Sequence, residues 1–265
     1  MRTLPPQRGK LLVWLLTSSF CPLPFVSGFA FLSGAQAPGR AGPKPSERTL
    51  LGVVELVAVG PGERARNRAC AATGFVVNED GYLVTNAHVV KDLQGCLSKN
   101  PGGKILAKFP APQESFARGL PCEVVAVEEV HDLAVLKLTV PLPAGAPASP
   151  SYECLDAREV PEGTAITVAG HPEFAWRLHT QAGQVVWSGT YQLDEKSAAT
   201  TEVIGVNIPL RPGNSGSPVY LESGGVAGVV VSRDETQRGQ SVAIAIRYVT
   251  DVLDRYSVKW HGCGP

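Results

Sequence analysis

The feature that most constrains this chain is a recurring short run of β-branched and aliphatic residues, each stopped by Gly, Pro, Asn or Asp. The runs are LLGVVELVAV at 50–59, ATGFVV at 72–77, YLVTNAHVV at 82–90, CEVVAVEEV at 122–130 and LAVLKLTV at 133–140. A second set follows: TAITVAG at 164–170, QVVWSG at 184–189, TEVIGVNI at 201–208, SPVYL at 217–221, GVAGVVVS at 225–232 and SVAIAI at 241–246. Val, Ile and Thr fit a pleated surface better than a helix, and the punctuating residues favour turns. A chain built this way reads as β-rich. The 28 Gly and 22 Pro, against 7% aromatics, agree with many strands and turns rather than a bundle.

Two breaks divide the pattern. Residues 141–150 (PLPAGAPASP) are too rich in proline for strand interior, since proline removes a ladder donor. They read as a linker between an N-terminal lobe at 49–140 and a C-terminal lobe at 151–265. Near the end, Tyr248, Val249, Val252, Leu253 and Tyr256 recur at helical spacing, so one terminal helix is predicted. Residues 1–37 differ from the rest. Arg2, Arg8 and Lys10 precede an apolar run at Leu11–Leu16, and Ala35-Gln36-Ala37 closes the stretch. That order describes a secretory signal peptide; the alternative is an uncleaved membrane anchor, which Pro22 and Pro24 disfavour. Residues 38–48 read as a polar flexible tether. A secreted or periplasmic chain with no stable membrane span follows. With Cys21 removed, Cys70, Cys96, Cys122, Cys154 and Cys263 remain, enough for two disulfides and a spare thiol, with the pairing open.

Charge gives no footprint for nucleic acid, because 24 bases balance 24 acids. No C-x-x-C occurs, and His131, His171, His179 and His261 lack ligand spacing, so neither a metal nor a cofactor is expected.

Three segments carry chemistry. In Pro212-Gly213-Asn214-Ser215-Gly216-Ser217-Pro218, two glycines let the backbone turn sharply around a serine. Serine is a weak nucleophile that needs a base to take its proton and donors for the oxyanion its attack creates. Ser215 is the candidate nucleophile, and the N–H groups of Gly213 and Ser215 are the candidate oxyanion hole. Thr85-Asn86-Ala87-His88-Val89-Val90, at the end of the strand begun at Tyr82, offers His88 as the base. His131-Asp132-Leu133-Ala134-Val135-Leu136 offers Asp132, ahead of an apolar strand, to orient that histidine; Asp80 and Asp92 are weaker rivals. Taken singly, each segment also reads blandly, as a loop, a polar strand end and a turn.

Together and in this order, T-N-A-H-V-V, H-D-L-A-V-L-K-L and P-G-N-S-G-S-P resemble the active-site motifs of trypsin-like serine peptidases, above all the HtrA/Deg group. V-A-G-H-P at 168–172 and G-Q-V-V at 183–186 are similar to further segments of that group, and the resemblance spans about residues 50–255. It implies an all-β fold of two antiparallel six-stranded barrels, chymotrypsin-like, with a C-terminal helix and the cleft between lobes. It also implies a serine endopeptidase acting on proteins or peptides, with Pro209, Leu210, Val230, Val231, Ser232 and Ala243 around the pocket for the residue before the scissile bond. None of those supplies a carboxylate, so a small or medium apolar residue is expected there. Asn214 stands where digestive relatives carry an activating Asp, which implies activity without zymogen cleavage. Asn207 and Ser217 also depart from the pattern, and no PDZ domain is expected before the chain ends. The rival class is a catalytically dead homologue that serves as a binding module.

Overall fold

The computed structural model describes residues 44–61, 70–99, 101–110, 119–142, 152–174, 177–193, 196–231 and 241–264. The predicted signal peptide and most of the predicted tether and interlobe linker lie outside them.

The N-terminal lobe starts with one helical turn, α1 (Glu47–Leu50), where the tether was predicted to end. Strands β1 (Val53–Val59), β2 (Ala71–Val76) and β3 (Tyr82–Thr85) are followed by helix α2 (Ala87–Ser98). Then come β4 (Lys104–Lys108), β5 (Leu120–Glu128) and β6 (Leu133–Leu138). They close into an antiparallel barrel in the order β1-β2-β3-β6-β5-β4. The run at 82–90, expected as one strand, is therefore divided. Pairing of β3 with β6 stops at Thr85 opposite Ala134, and Asn86 begins the helix. Val89, Val90 and Leu93 are buried on one helical face, a spacing that β-rich Val89-Val90 masked in the sequence.

The C-terminal lobe contains β7 (Cys154–Leu155), β8 (Ala165–Gly170), β9 (His179–Tyr191), β10 (Thr201–Val206), β11 (Pro218–Tyr220), β12 (Val226–Val231) and β13 (Ser241–Ala245). Helix α3 (Arg247–Arg255) and β14 (His261–Gly262) follow. Six strands form the ring β11-β8-β9-β10-β13-β12, closed by pairing of β11 with β12. Outside it, β7 lies parallel to both β12 and β14. The fold is thus two closed six-stranded antiparallel barrels with a C-terminal helix.

Alternation along each strand distributes side chains among three larger cores and a small fourth cluster of Val57, Val59 and Ala71. Val54, Leu56, Leu83 and Leu136 fill the first barrel, while Ile166, Val168, Val206 and Val230 fill the second. The outward faces meet a shared core that joins Val53, Phe75 and Val135 to Tyr220, Val229 and Ile244, and α3 adds Val249, Val252 and Leu253. β12 is buried on both faces, which explains its unbroken apolar run. Disulfides join Cys70 to Cys96 and Cys154 to Cys263, while Cys122 is free and buried. Burial pushes the Cys122 thiol up to about 12, which makes it inert as a thiolate at neutral pH.

Candidate active site

His88 is the second residue of α2, so its backbone N–H is one of the first-turn donors that a helix leaves without an internal partner. Asp132 supplies that partner: its Oδ1 accepts the His88 N–H at 2.9 Å. The other carboxyl oxygen, Oδ2, lies 2.7 Å from His88 Nδ1. One carboxyl therefore fixes both the helix start and the ring. A negative group is also favoured at this end of the helix dipole.

Asp132 reaches this position through a left-handed backbone, φ 50°, one residue before β6. Such a conformation costs on the order of 1–3 kcal/mol in a non-glycine residue and persists where surroundings enforce it. Asn86 helps to enforce it, for its Nδ2 donates to the Asp132 carbonyl at 3.0 Å. Its side chain makes no cap bond to α2. Asp132 is 6% exposed, so its carboxyl is largely shielded from water, while the His88 ring stays partly exposed.

From the second barrel, Ser215 brings its Oγ to 3.0 Å from His88 Nε2. Ser215 stands in a turn between β10 and β11, with glycine at positive φ two residues before it and directly after it, Gly213 at 96° and Gly216 at 84°. A Cβ on Gly216 would sit 2.1 Å from the Thr73 carbonyl oxygen and 2.4 Å from Thr85 Oγ1. No side chain fits there, and the close approach brings the serine loop against β2. Among the described residues, the N–H groups of Gly213 and Ser215 have no hydrogen-bond partner, whereas those of Asn214, Gly216 and Ser217 are all bonded within the protein. Two free donors beside the serine hydroxyl are what an oxyanion formed at this position would require.

A cleft of about 230 Å³ opens here, lined by His88, Gly213 and Ser215 together with Ala71, Ala72, Val89, Leu93 and Asp92. Asp92 thus faces the cleft, but Asp132 holds the histidine. Asp80 lies in the β2–β3 turn. The remaining histidines are dispersed: His131 bonds Thr201, His171 donates its backbone N–H to Thr73, His261 meets Glu79, and His179 begins β9. No group of ligands that could hold a metal ion occurs among the described residues.

The expected pocket residues are placed less uniformly. Pro209 is exposed and Leu210 half-buried beside the serine loop. Val230 and Ala243 face each other across β12 and β13 inside the second barrel's core, each without exposed surface. Val231 is 2% exposed and belongs to the shared core. The side chains of these three are committed to packing. Ser232 lies outside the described residues. Asn207 accepts a bond from the Gln184 N–H away from the cleft, and Ser217 is fully buried behind the nucleophile.

Sequence reasoning missed Thr73. It is fully buried on β2 and bonds across the barrels to the carbonyl oxygen of Gly213, 2.7 Å from Thr73 Oγ1. Its signal was present only as a threonine before Gly74, since its partners are 140 and 98 residues away.

Two closed barrels, with a serine from one and a histidine and aspartate from the other converging between them, define the chymotrypsin-like class of serine hydrolase architecture. The chain belongs to the trypsin-like peptidase domain family, whose model matches residues 72–229. Its relatives include a probable periplasmic serine endoprotease, DegP-like, from Halomonas elongata, 28% identical over 72% of this chain and 36% of that protein. They also include an uncharacterized protein, y4bJ, of Sinorhizobium fredii, 32% identical over 62% of this chain and 22% of that protein. The chain thus spans only about a fifth to a third of the length of these relatives. Among solved structures, the inactive form of Rv3671c from M. tuberculosis superposes with a TM-score of 0.59 at 17% identity, covering 82% of this chain and 96% of that one. The HtrA-type protease AlgW with a tripeptide gives 0.57 at 19% identity, covering 78% and 60%. At these identities the structural likeness speaks for the fold.

Proposed function

We propose that the chain is a serine endopeptidase that hydrolyses peptide bonds in proteins through Ser215, His88 and Asp132. The observation that carries this reading is the continuous bonded path from Asp132 Oδ2 through His88 to Ser215 Oγ, beside the unpartnered N–H groups of Gly213 and Ser215.

On this reading, Ser215 Oγ attacks the scissile carbonyl carbon while its proton passes to His88 Nε2. The carbonyl oxygen becomes an oxyanion, stabilised by the two free N–H groups. Collapse of the tetrahedral intermediate breaks the C–N bond, and His88 gives the proton to the leaving amine. Water, deprotonated by His88 in turn, releases the acyl group from Ser215 by the same sequence. Asp132 holds the ring with Nδ1 protonated and stabilises the imidazolium. The relatives named as serine endoproteases support this activity.

Three finer points belong to the same reading. A small or medium apolar residue precedes the scissile bond, supported by Pro209 and Leu210 beside the serine loop and by the lack of a carboxylate at either. No zymogen cleavage is needed, because Asn214 cannot form the ion pair that a new N-terminus makes in digestive relatives. Secretion or periplasmic export through residues 1–37 is supported by two disulfides, which persist in oxidising compartments, and by relatives named periplasmic. No helix among the described residues is long and apolar enough to cross a membrane.

Digestion of a peptide library by the purified chain and by Ser215→Ala tests the proposal. Cleavage after Val or Ala by the wild type alone is expected. Equal cleavage by the variant would refute the role of Ser215, and faster cleavage after Arg than after Val would refute the apolar preference. A folded wild type that cleaves nothing would favour the binding-module reading.

A further inference from the structure

Gly213 sits at the least constrained point of the serine loop, yet its N–H must face one way for the oxyanion to be met. A glycine at φ 96° pivots more freely than any other residue, so something outside it must fix the two adjoining peptide planes. Two hydrogen bonds do so, both to carbonyl oxygens. The Pro212 carbonyl accepts the Glu173 N–H at 2.6 Å. No cis peptide occurs among the described residues, so holding that oxygen on one side turns the Gly213 N–H to the opposite side. The Gly213 carbonyl accepts the Thr73 hydroxyl at 2.7 Å, which fixes the next plane, and the Asn214 N–H in that plane closes the turn on the Arg211 carbonyl at 3.0 Å.

Thr73 joins these contacts. Its Oγ1 also accepts the His171 N–H at 3.0 Å, two residues before Glu173. Its own N–H donates to the Ser215 carbonyl at 3.0 Å, and its carbonyl accepts the Thr85 hydroxyl at 2.8 Å, next to the start of α2. Glu173 holds a left-handed backbone, φ 53°, and pairs with Arg211. One buried threonine of the first barrel therefore touches both carbonyls around Ser215 that define the loop, the turn at 171–173 that holds the third, and the strand end leading to His88.

We infer that Thr73 is a positioning residue for the oxyanion hole: its hydroxyl, by bonding the Gly213 carbonyl and the His171 N–H at once, holds the Gly213 N–H toward the reacting carbonyl in the resting chain. The inference rests on the peptidase reading and extends it, since it places the setting of the loop inside the folded chain, without a new N-terminus. Thr73 itself touches no reacting atom.

The test uses Thr73→Val, which keeps the shape and removes the hydroxyl, and Thr73→Ser, which keeps the hydroxyl and removes the methyl. Loss of one oxyanion donor lowers kcat by about 10²–10³-fold, so Thr73→Val should lower kcat by roughly 10²-fold with KM changed about twofold or less. Thr73→Ser should remain within a few-fold of wild type. A peptidyl boronate, which mimics the tetrahedral state, should lose affinity for Thr73→Val by the same factor as kcat/KM. If Thr73→Val does not fold, Thr73→Ala against Thr73→Ser gives the same contrast without bulk. Absence of turnover in the wild type would sink the peptidase reading and this inference together. Wild-type turnover retained by Thr73→Val, or lost equally in Thr73→Ser, would overturn the inference alone.

Discussion

Polar side chains are buried between the two barrels in two settings. In the cleft, Thr73, Thr85 and Asp132 each find partners: both Asp132 oxygens accept bonds from His88, and the Thr73 hydroxyl both donates and accepts. Elsewhere in the interface, Glu153 is 1% exposed, with its backbone N–H on the Val76 carbonyl of the first barrel. Its neighbour Tyr220, on β11, has no exposed surface. The two groups interact, yet neither Glu153 oxygen nor the Tyr220 hydroxyl makes a hydrogen bond of normal geometry. Burial pushes the Glu153 carboxyl up to about 8 and the Tyr220 phenol well above its usual value, so Glu153 is a neutral acid through most of the physiological range. The contrast shows two ways to bury a carboxyl. Asp132 is met by donors arranged around a helix start, whereas Glu153 keeps its proton.

The largest effect is expected at the first of these carboxyls. Asp132→Asn preserves the size of the side chain but cannot hold the same imidazole tautomer, and kcat should fall by about 10⁴-fold with the thermal midpoint little changed. Activity within tenfold of wild type would mean that the path from Asp132 to His88 plays no part in turnover. Thr73→Val comes next, at roughly 10²-fold as derived above.

The smallest effect on turnover, and the clearest on stability, is expected at Glu153. Folding raises its pKa from the usual 4.5 to about 8, so the native state keeps a proton that the unfolded chain releases in between. Stability contributed by the neutral acid is thus fully present below about pH 4.5 and is lost as pH rises toward about 8. Glu153→Gln, neutral at every pH, should remove that slope. Denaturant midpoints of wild type and variant, compared at about pH 5 and about pH 8, should converge at the lower pH and diverge in favour of Gln at the higher. A constant difference across the range would show that Glu153 is ionised or solvated in the folded chain.

Much of this interface was legible in the sequence because the signals were local. Asp132 stood before LAVLKL, an apolar run that could only be a buried strand, and the glycines around Ser215 announced a turn too tight for side chains. The β-rich lobes followed from runs such as GVAGVVVS, apolar on both faces because both faces are covered, while their closure into barrels was implied by the resemblance to trypsin-like peptidases. Those same runs left the burial of single side chains illegible: in β12 nothing in the sequence distinguishes a valine facing the cleft from one facing the core, and Val230 and Ala243 pack inside the second barrel. The helix carrying His88 was hidden by Val89 and Val90, which continue the strand's composition. Its signal lay in Leu93, four residues beyond Val89. Thr73 was beyond reach, since its meaning depends on chain 98 and 140 residues away. The pairing of Cys70 with Cys96 and of Cys154 with Cys263 was equally a matter of folded proximity.

The most direct test of the central claim is covalent. The folded chain, incubated with a fluorophosphonate, digested and mapped by mass spectrometry, should carry one phosphonyl adduct, on the Ser215 side chain. The adduct should be absent from Ser215→Ala and slowed in Asp132→Asn. A folded wild type that takes up no label, or a Ser215→Ala chain that takes up as much, would contradict the assignment of Ser215 as a nucleophile activated by His88.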